Sequence, residues 1–322
     1  MKVDDVVLQV KRHRKKEVSQ KIAIMLKDYA EENFPEDKIF QRKMLRQIRC
    51  SSFIQELDNG NLISHYCKEK TCLVCNSIRA AKFLDKYKSQ IEKRSFIYHN
   101  VLSIRNPSDE NLKSDIDKMF KFFNQSSIKR NKRYLELNKA IDFVRTFEVT
   151  FNSRAKTYHI HFHCLIGGEI ENEVIEYGKI LIDYWLKYFK DKADLKAQYL
   201  EKQQKSILEN FKYLFKLKDI SKNEIPMLYT FLNAVKNKRL FTVKNVEANI
   251  IDNKKFDDQK KKNLRSERLK GFHYNIKFKN WIDPHTGEIF IDNKKIETNE
   301  IIMKEIKNYN ELRSYFLSKQ LK

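Results

Sequence analysis

Two runs of strict alternation stand out along the chain. In residues 141–151, Ile-Asp-Phe-Val-Arg-Thr-Phe-Glu-Val-Thr-Phe, the apolar Phe143, Phe147, Val149 and Phe151 share one parity, and Thr146, Glu148 and Thr150 share the other. In residues 158–166, Tyr-His-Ile-His-Phe-His-Cys-Leu-Ile, the imidazoles of His159, His161 and His163 alternate with Ile160, Phe162 and Cys164. Strand side chains point alternately to the two faces of a sheet, so each run predicts a strand with one greasy and one polar face. The polar segment Asn152–Lys156 reads as the hairpin connection. With Ser153–Lys156 as the loop proper, Asn152 faces Thr157 and Glu148 faces His161. The polar faces of the two strands then coincide, and a slip of one residue would send Glu148 to the wrong side.

The remaining pattern supplies helices and a few more strands. A charged N-terminal stretch reads as helix from about Val18 to Glu32. Residues 96–106 read as a strand that ends at Pro107. A helix follows with Ser108 as its N-cap, Asp109 and Glu110 in its first turn, and Leu112, Ile116, Met119, Phe120 and Phe123 stepping by three and four. Gly167-Gly168 closes the histidine strand, and residues 171–191 form an amphipathic helix. In residues 204–219 a core stripe (Ile207, Leu208, Phe211, Leu214, Phe215) again predicts a helix. Residues 252–270, rich in Lys, Asp and Asn, read as a linker or long loop. A turn cluster at Asp283–Gly287 suggests a hairpin between Phe278/Trp281 and Ile289/Phe290, and a last helix spans 298–320. The class is α+β, with an antiparallel sheet and flanking helices.

Three imidazoles on one side of a buried strand are costly unless their nitrogens have partners. A divalent ion uses two of them at once. With the carboxylate of Glu148 opposite, His161 and His163 make a mixed N/O set with open positions, suited to Mg²⁺ or Mn²⁺ beside a phosphate. Histidines merely hydrogen-bonded in a half-exposed sheet are the plainer alternative. On the 204–219 helix a second stripe carries Lys205, Glu209, Lys212, Tyr213 and Lys216. A phenol has a pKa near 10 and is a weak nucleophile at neutral pH. Lys212 and Lys216 would favour its phenolate and hold phosphates, and Glu209, one turn away, would take a proton. Spacing alone does not raise this above an ordinary amphipathic helix, because the chain has fifteen tyrosines.

Composition narrows the partner. The 322 residues carry a formal net charge of +22, far beyond what solubility needs, which points to nucleic acid. An anionic membrane surface is the alternative, but no stretch approaches ~20 consecutive apolar residues. The first residues show no signal-peptide pattern, so a cytoplasmic location and no membrane partner are expected. Four of the five cysteines fall within residues 50–75. Cys72-x-x-Cys75 has the bite of half a zinc site; Cys67 joins it, and either Cys50 or His65 completes a closed, structural Zn²⁺ set. The basic run Lys129–Arg133 is either a solvated loop or a DNA contact through Arg130 and Lys132.

The order of these features resembles one family. A Cys cluster, Phe-Glu-Val-Thr-Phe-Asn, His-x-His-x-His with an apolar run, and Glu-x-x-Lys-Tyr-x-x-Lys are similar to the replication initiators of rolling-circle plasmids, within the HUH endonucleases. The likeness covers roughly residues 50–250; Ile160 and Leu73 stand where relatives often have Pro. The resemblance implies a central antiparallel sheet flanked by helices, with a Cys-rich zinc knuckle. The N-terminal and C-terminal segments match nothing in the family; the chain itself reads as a helical region at 1–49, a zinc knuckle at 50–90, the nuclease core at 91–222 and an extra region of mixed helix and hairpin at 223–322, DNA-binding or accessory. The resemblance assigns His161 and His163 as metal ligands with Glu148 as third, Tyr213 as the nucleophile that becomes joined to a DNA 5′-phosphate, and Glu209 as the residue that activates water. Its implied partners are a double-stranded origin with an extruded single strand, a host helicase and a host DNA polymerase. A transposase or relaxase with the same site, and a non-enzymatic zinc-containing nucleic-acid-binding protein, are the competing readings.

Overall fold

The computed structural model describes residues 3–57, 62–203, 220–247, 268–275, 280–284 and 286. In chain order the elements are helices α1 (Val3–Asn33) and α2 (Lys38–Ile48), strands β1 (Phe53–Leu57) and β2 (Leu62–Ser64), α3 (Leu73–Glu92), β3 (Phe96–Ser103), α4 (Asp109–Phe122), α5 (Ser126–Lys129), α6 (Lys132–Ala140), β4 (Asp142–Asn152), β5 (Thr157–Gly168), α7 (Glu171–Phe189), β6 (Tyr199–Lys202), α8 (Ile225–Ala234), β7 (Phe241–Lys244), β8 (Arg268–Asn275) and β9 (Asn280–Ile282). They fall into two compact units, Met1–Asn76 with Asn253–Lys322, and Ser77–Asp252.

The unit of residues 77–252 is built on a five-stranded antiparallel sheet of order β6-β3-β5-β4-β7. The alternation of β4 and β5 locks their register: Asn152 pairs with Thr157, Glu148 with His161, and Thr146 with His163. The apolar parity faces helices α4, α7 and α8. There Phe147 and Phe162 lie 5.3 Å apart, with Phe120 at 5.2 Å and Trp185 at 6.1 Å from Phe162, and Phe231 stacks on Phe147 at 6.3 Å. Such edge and offset pairs add ~0.5–1.5 kcal/mol each beyond the area they bury. The opposite face is apolar at one end, where Phe83, Tyr87 and Ile91 of α3 pack on Val144, Leu165 and Val243. The other end of that face carries the histidines.

The other unit packs α1 on α2 and holds a second antiparallel sheet of order β2-β1-β8-β9. Ile54, Phe272 and Trp281 form its small core, and the Trp281 indole donates to the Ser51 carbonyl at 2.6 Å. The C-terminal hydrogen bonds of α2 are met from α1: the Gln20 amide donates to Ile48 O at 2.9 Å, and the buried Lys16 ammonium donates to Ile48 O at 3.0 Å and to Cys50 O. This satisfies carbonyls that a helix end leaves without partners, with a cation where the helix dipole is negative.

Several elements depart from the sequence expectation. Helix α1 starts at Val3 rather than near Val18. Ser108 occupies the N-cap of α4 in an extended conformation, but its side chain makes no capping bond. The basic run at 129–133 is not a loop: it ends α5 and begins α6. Trp281 pairs backwards with Tyr274 in β9, and the carboxylate of Asp283 then caps a turn by accepting from the Thr286 N–H at 3.2 Å. Ile289, Phe290 and the helix expected at 298–320 lie outside the described residues.

Candidate metal centres

Glu148 projects from β4, and His161 and His163 from β5, on one face. The Glu148 Oε2 stands 2.8 Å from His163 Nε2 and 3.6 Å from His161 Nε2, and the two Nε2 atoms are 2.9 Å apart. His163 Nε2 has one site to share between Glu148 and His161, so the three lone pairs cannot all be satisfied by hydrogens. A cation at their focus satisfies all three. Donors at ~2.1 Å from an octahedral ion are about 3.0 Å apart in cis positions, close to two of the three separations; the Glu148–His161 pair is wider at 3.6 Å. His161 Nδ1 is buried without a hydrogen-bond partner among the described residues. Burial alone would raise the Glu148 carboxyl; the bonds to His161 and His163 outweigh it and hold Glu148 well below the usual carboxylate range.

Two residues here were not anticipated from the sequence. His99 of β3 places Nε2 2.9 Å from His163 Nδ1, and the Tyr199 hydroxyl of β6 lies 3.4 Å from His99 Nδ1. Burial, then the neighbouring His163 and His161, push His99 down to about 4, so it is a neutral acceptor at physiological pH. A bond from His163 Nδ1–H to His99 leaves His163 Nε2 free of its proton and ready to ligate. The only signal in the sequence was one histidine within Phe-Ile-Tyr-His-Asn-Val; its nearness to His163 depends on β3 pairing with β5.

His159 continues the imidazole row opposite Thr150 and is exposed, with Nδ1 3.1 Å from Asn106 Oδ1. Beyond the metal residues the same face opens into a groove of about 510 Å³, lined among others by Asn106, Thr150, Phe151, Arg154 and His159.

The second cluster comprises Cys50, Cys67, Cys72 and Cys75. All four are buried, and their sulfurs lie within 4.8 Å of one another. Cys50 Sγ is 3.5 Å from Cys75 Sγ and 3.5 Å from Cys72 Sγ, and Cys67 Sγ is 3.7 Å from Cys75 Sγ. Cys50 is therefore the fourth member; His65 is exposed, and its carbonyl is taken by the Ser51 N–H. Backbone N–H groups of Cys67, Lys68 and Glu69 point at Cys50, Cys75 and Cys67 sulfurs at 3.3–3.4 Å, which favours thiolates. Four such donors can hold one metal ion.

Other expected residues stand apart from these centres. Arg130 and Lys132 are exposed at the α5–α6 junction, in the helical layer on the aromatic side of the sheet, while Arg133 beside them is held by Glu176 at 2.8 Å. Tyr213, Glu209, Lys212 and Lys216 lie outside the described residues. Among the described residues no helix is long and apolar enough to cross a membrane.

Comparison with known proteins gives the geometry a family. The chain is similar to a "Protein rep" of a Bacillus species, 27% identical over 218 residues that cover 56% of this chain and 68% of that protein. It is 29% identical over 142 residues to a "Protein rep" of Bacillus amyloliquefaciens, covering 39% of this chain and 40% of the relative. A "Protein rep" of Staphylococcus aureus is 31% identical over 107 residues, covering 31% and 44%. The chain thus spans less than half the length of the latter two. No solved structure matches it. The family described as replication protein matches residues 62–277, which contain Glu148, His161, His163 and three of the four clustered cysteines. The chain belongs to this replication protein family and is a plasmid replication initiator of the Rep type.

Proposed function

We propose that this initiator starts rolling-circle replication as an HUH-type nickase. It would act on single-stranded DNA extruded at a duplex origin. The observation that carries the reading is the convergence of Glu148, His161 and His163 on one point of an otherwise well-packed sheet, beside an open groove. Mg²⁺ or Mn²⁺ suits that N/O set and, when bound, would draw charge from a phosphate oxygen. Asn106, Thr150 and His159 offer hydrogen bonds to a strand lying along the groove, and Arg154 offers a cation to its phosphates.

Tyr213 and Glu209 take their roles from the family resemblance. The Tyr213 oxygen forms a bond to phosphorus as the bond from phosphorus to the 3′ oxygen breaks. The phenolic proton is lost, the 3′ oxygen gains one, and the chain stays joined to the 5′-phosphate. The 3′-OH serves a host polymerase, with a host helicase opening the duplex. In the terminating cleavage water attacks the scissile phosphorus and Glu209 takes its proton, while the bond from phosphorus to the 3′ oxygen breaks and that oxygen gains a proton; such proton transfer is worth ~10²–10⁴-fold. Lys212 and Lys216 would hold phosphates beside the tyrosine.

Zn²⁺ is the ion proposed for the four cysteines. Sulfurs at ~2.3 Å from a tetrahedral zinc are about 3.8 Å apart, close to the spacing seen, and no side of the set is open. Incubation with a supercoiled origin plasmid and Mn²⁺ tests the nickase. Open circles and a covalent protein–DNA adduct are expected, and Tyr213→Phe should lose the adduct while keeping its DNA affinity. Normal nicking by Tyr213→Phe would remove that residue from the reaction.

A further inference from the structure

Helix α2 has no acidic residue: Lys-Ile-Phe-Gln-Arg-Lys-Met-Leu-Arg-Gln-Ile. Its sides divide cleanly. Phe40, Gln41, Met44 and Gln47 are buried, and α2 packs on α1. Ile39, Arg42, Leu45 and Arg46 face water, as does Arg49 at the C-cap, stepping by three and four along one stripe. Ile39 is 56% exposed and Leu45 37%. One aliphatic side chain in water is ordinary. Two on one helix face, set among Arg42, Lys43, Arg46 and Arg49, match a different need: cations for phosphates and methyl groups for base edges.

The helix is held stiffly. The Asp37 carboxylate caps its N-terminus by accepting from the Phe40 N–H at 3.1 Å. The buried Gln47 amide donates to Ser19 O at 3.0 Å and accepts from the Thr71 hydroxyl at 2.6 Å. Arg46 bonds Glu69 at 2.6 Å, tying α2 to the cysteine loop, and Cys50 follows its last turn. An element of ~16 Å fits a major groove about 12 Å wide, and a rigid mount preserves the register of its side chains.

We propose that the outward face of α2 reads duplex DNA. Arg42, Lys43 and Arg49 contact phosphates and base edges, and Ile39 and Leu45 lie against thymine methyls. This rests on the chain acting at a duplex origin, but its test needs no cleavage. Duplexes are selected by the intact protein from a random-sequence library, without added Mg²⁺ or Mn²⁺. Their binding is then measured beside that of mixed-sequence single strands. Arg42→Ala/Lys43→Ala/Arg49→Ala leaves the buried side and Arg46–Glu69 in place. It should bind the selected duplex at least ~30-fold more weakly at physiological salt, with a salt slope smaller by about two to three, while single-strand binding changes less than about threefold. Ile39→Gln/Leu45→Gln should keep the salt slope and lose most of its preference for selected over scrambled duplex. Circular dichroism and melting check that both variants fold. Wild-type duplex affinity in the triple variant overturns the proposal, as does an equal loss on single and double strands. Full DNA binding with loss only of plasmid maintenance also overturns it and assigns the face to an acidic protein partner. Failure of the wild-type protein to nick would instead count against the nickase reading.

Discussion

The two candidate metal clusters contrast in every respect that bears on chemistry. The cysteines are at most 7% exposed, come from a loop and two element ends, and are wrapped by backbone N–H groups. The second set sits on two adjacent strands, with side-chain exposures of 9% for His161, 18% for Glu148 and 21% for His163. A divalent ion on four thiolates leaves a double negative charge and no position open to a ligand. The same ion on two imidazoles and one carboxylate leaves a single positive charge beside a groove. With an ion bound, the first arrangement would staple a fold whose sheet core, among the described residues, is Ile54, Phe272 and Trp281 with Tyr274 packed against them. The second sits on a sheet that aromatic packing already stabilises and is available to a phosphate.

Removing a ligand from each cluster should therefore break different things. Cys72→Ser is expected to have the largest effect on folding. A structural zinc contributes on the order of 10 kcal/mol or more, comparable to the whole net stability of a domain. Its unit should lose protection in hydrogen exchange and the protein should release bound zinc, read with a chromogenic chelator. A Cys72→Ser protein that melts like the wild type would end the distinction. His161→Ala with His163→Ala should leave melting nearly unchanged, while metal-dependent cleavage falls by ~10³-fold or more. Should that double variant unfold instead, the histidines are structural and the groove is not a reaction site.

How much of this was legible in the sequence depended on how local each feature is. The β4–β5 register could be read because both strands carry their own alternation and share a short loop. Glu148 opposite His161 followed directly. Arg145 breaks that alternation: it lies on the apolar parity, and the sheet takes it in by stacking its guanidinium 4.2 Å from Phe123 and 4.8 Å from Phe162. Burial pushes it down to about 10. Spacing along the chain did not separate Cys50 from His65; only the folded chain brings the Cys50 sulfur to 3.5 Å from those of Cys72 and Cys75 and leaves His65 exposed. Strands β1 and β8 pair across more than two hundred residues, with no local pattern to match them. Helix α2 was not singled out within the charged N-terminal stretch, because the contrast between its faces has meaning only once α1 covers one of them.

The smallest expected effect tests how the open site is tuned. His99 touches no proposed substrate; it acts through His163. With the proton on His163 Nδ1 bonded to His99 Nε2 at 2.9 Å, the Nε2 lone pair of His163 faces Glu148 and His161. Without that acceptor, His163 can move its proton to Nε2, bond Glu148, and close the site to a cation. Partners of this kind are typically worth 10–100-fold in metal affinity. His99→Ala should weaken Mn²⁺ binding by roughly that factor, read by electron paramagnetic resonance of free Mn²⁺, with melting little altered. His99→Gln keeps an acceptor and should recover part of the loss. Tyr199→Phe should do less than either, because its contact to His99 is long at 3.4 Å. A His99→Ala protein that binds Mn²⁺ as well as wild type would mean that Glu148, His161 and His163 set the tautomer unaided, and that their strand register alone organises the site.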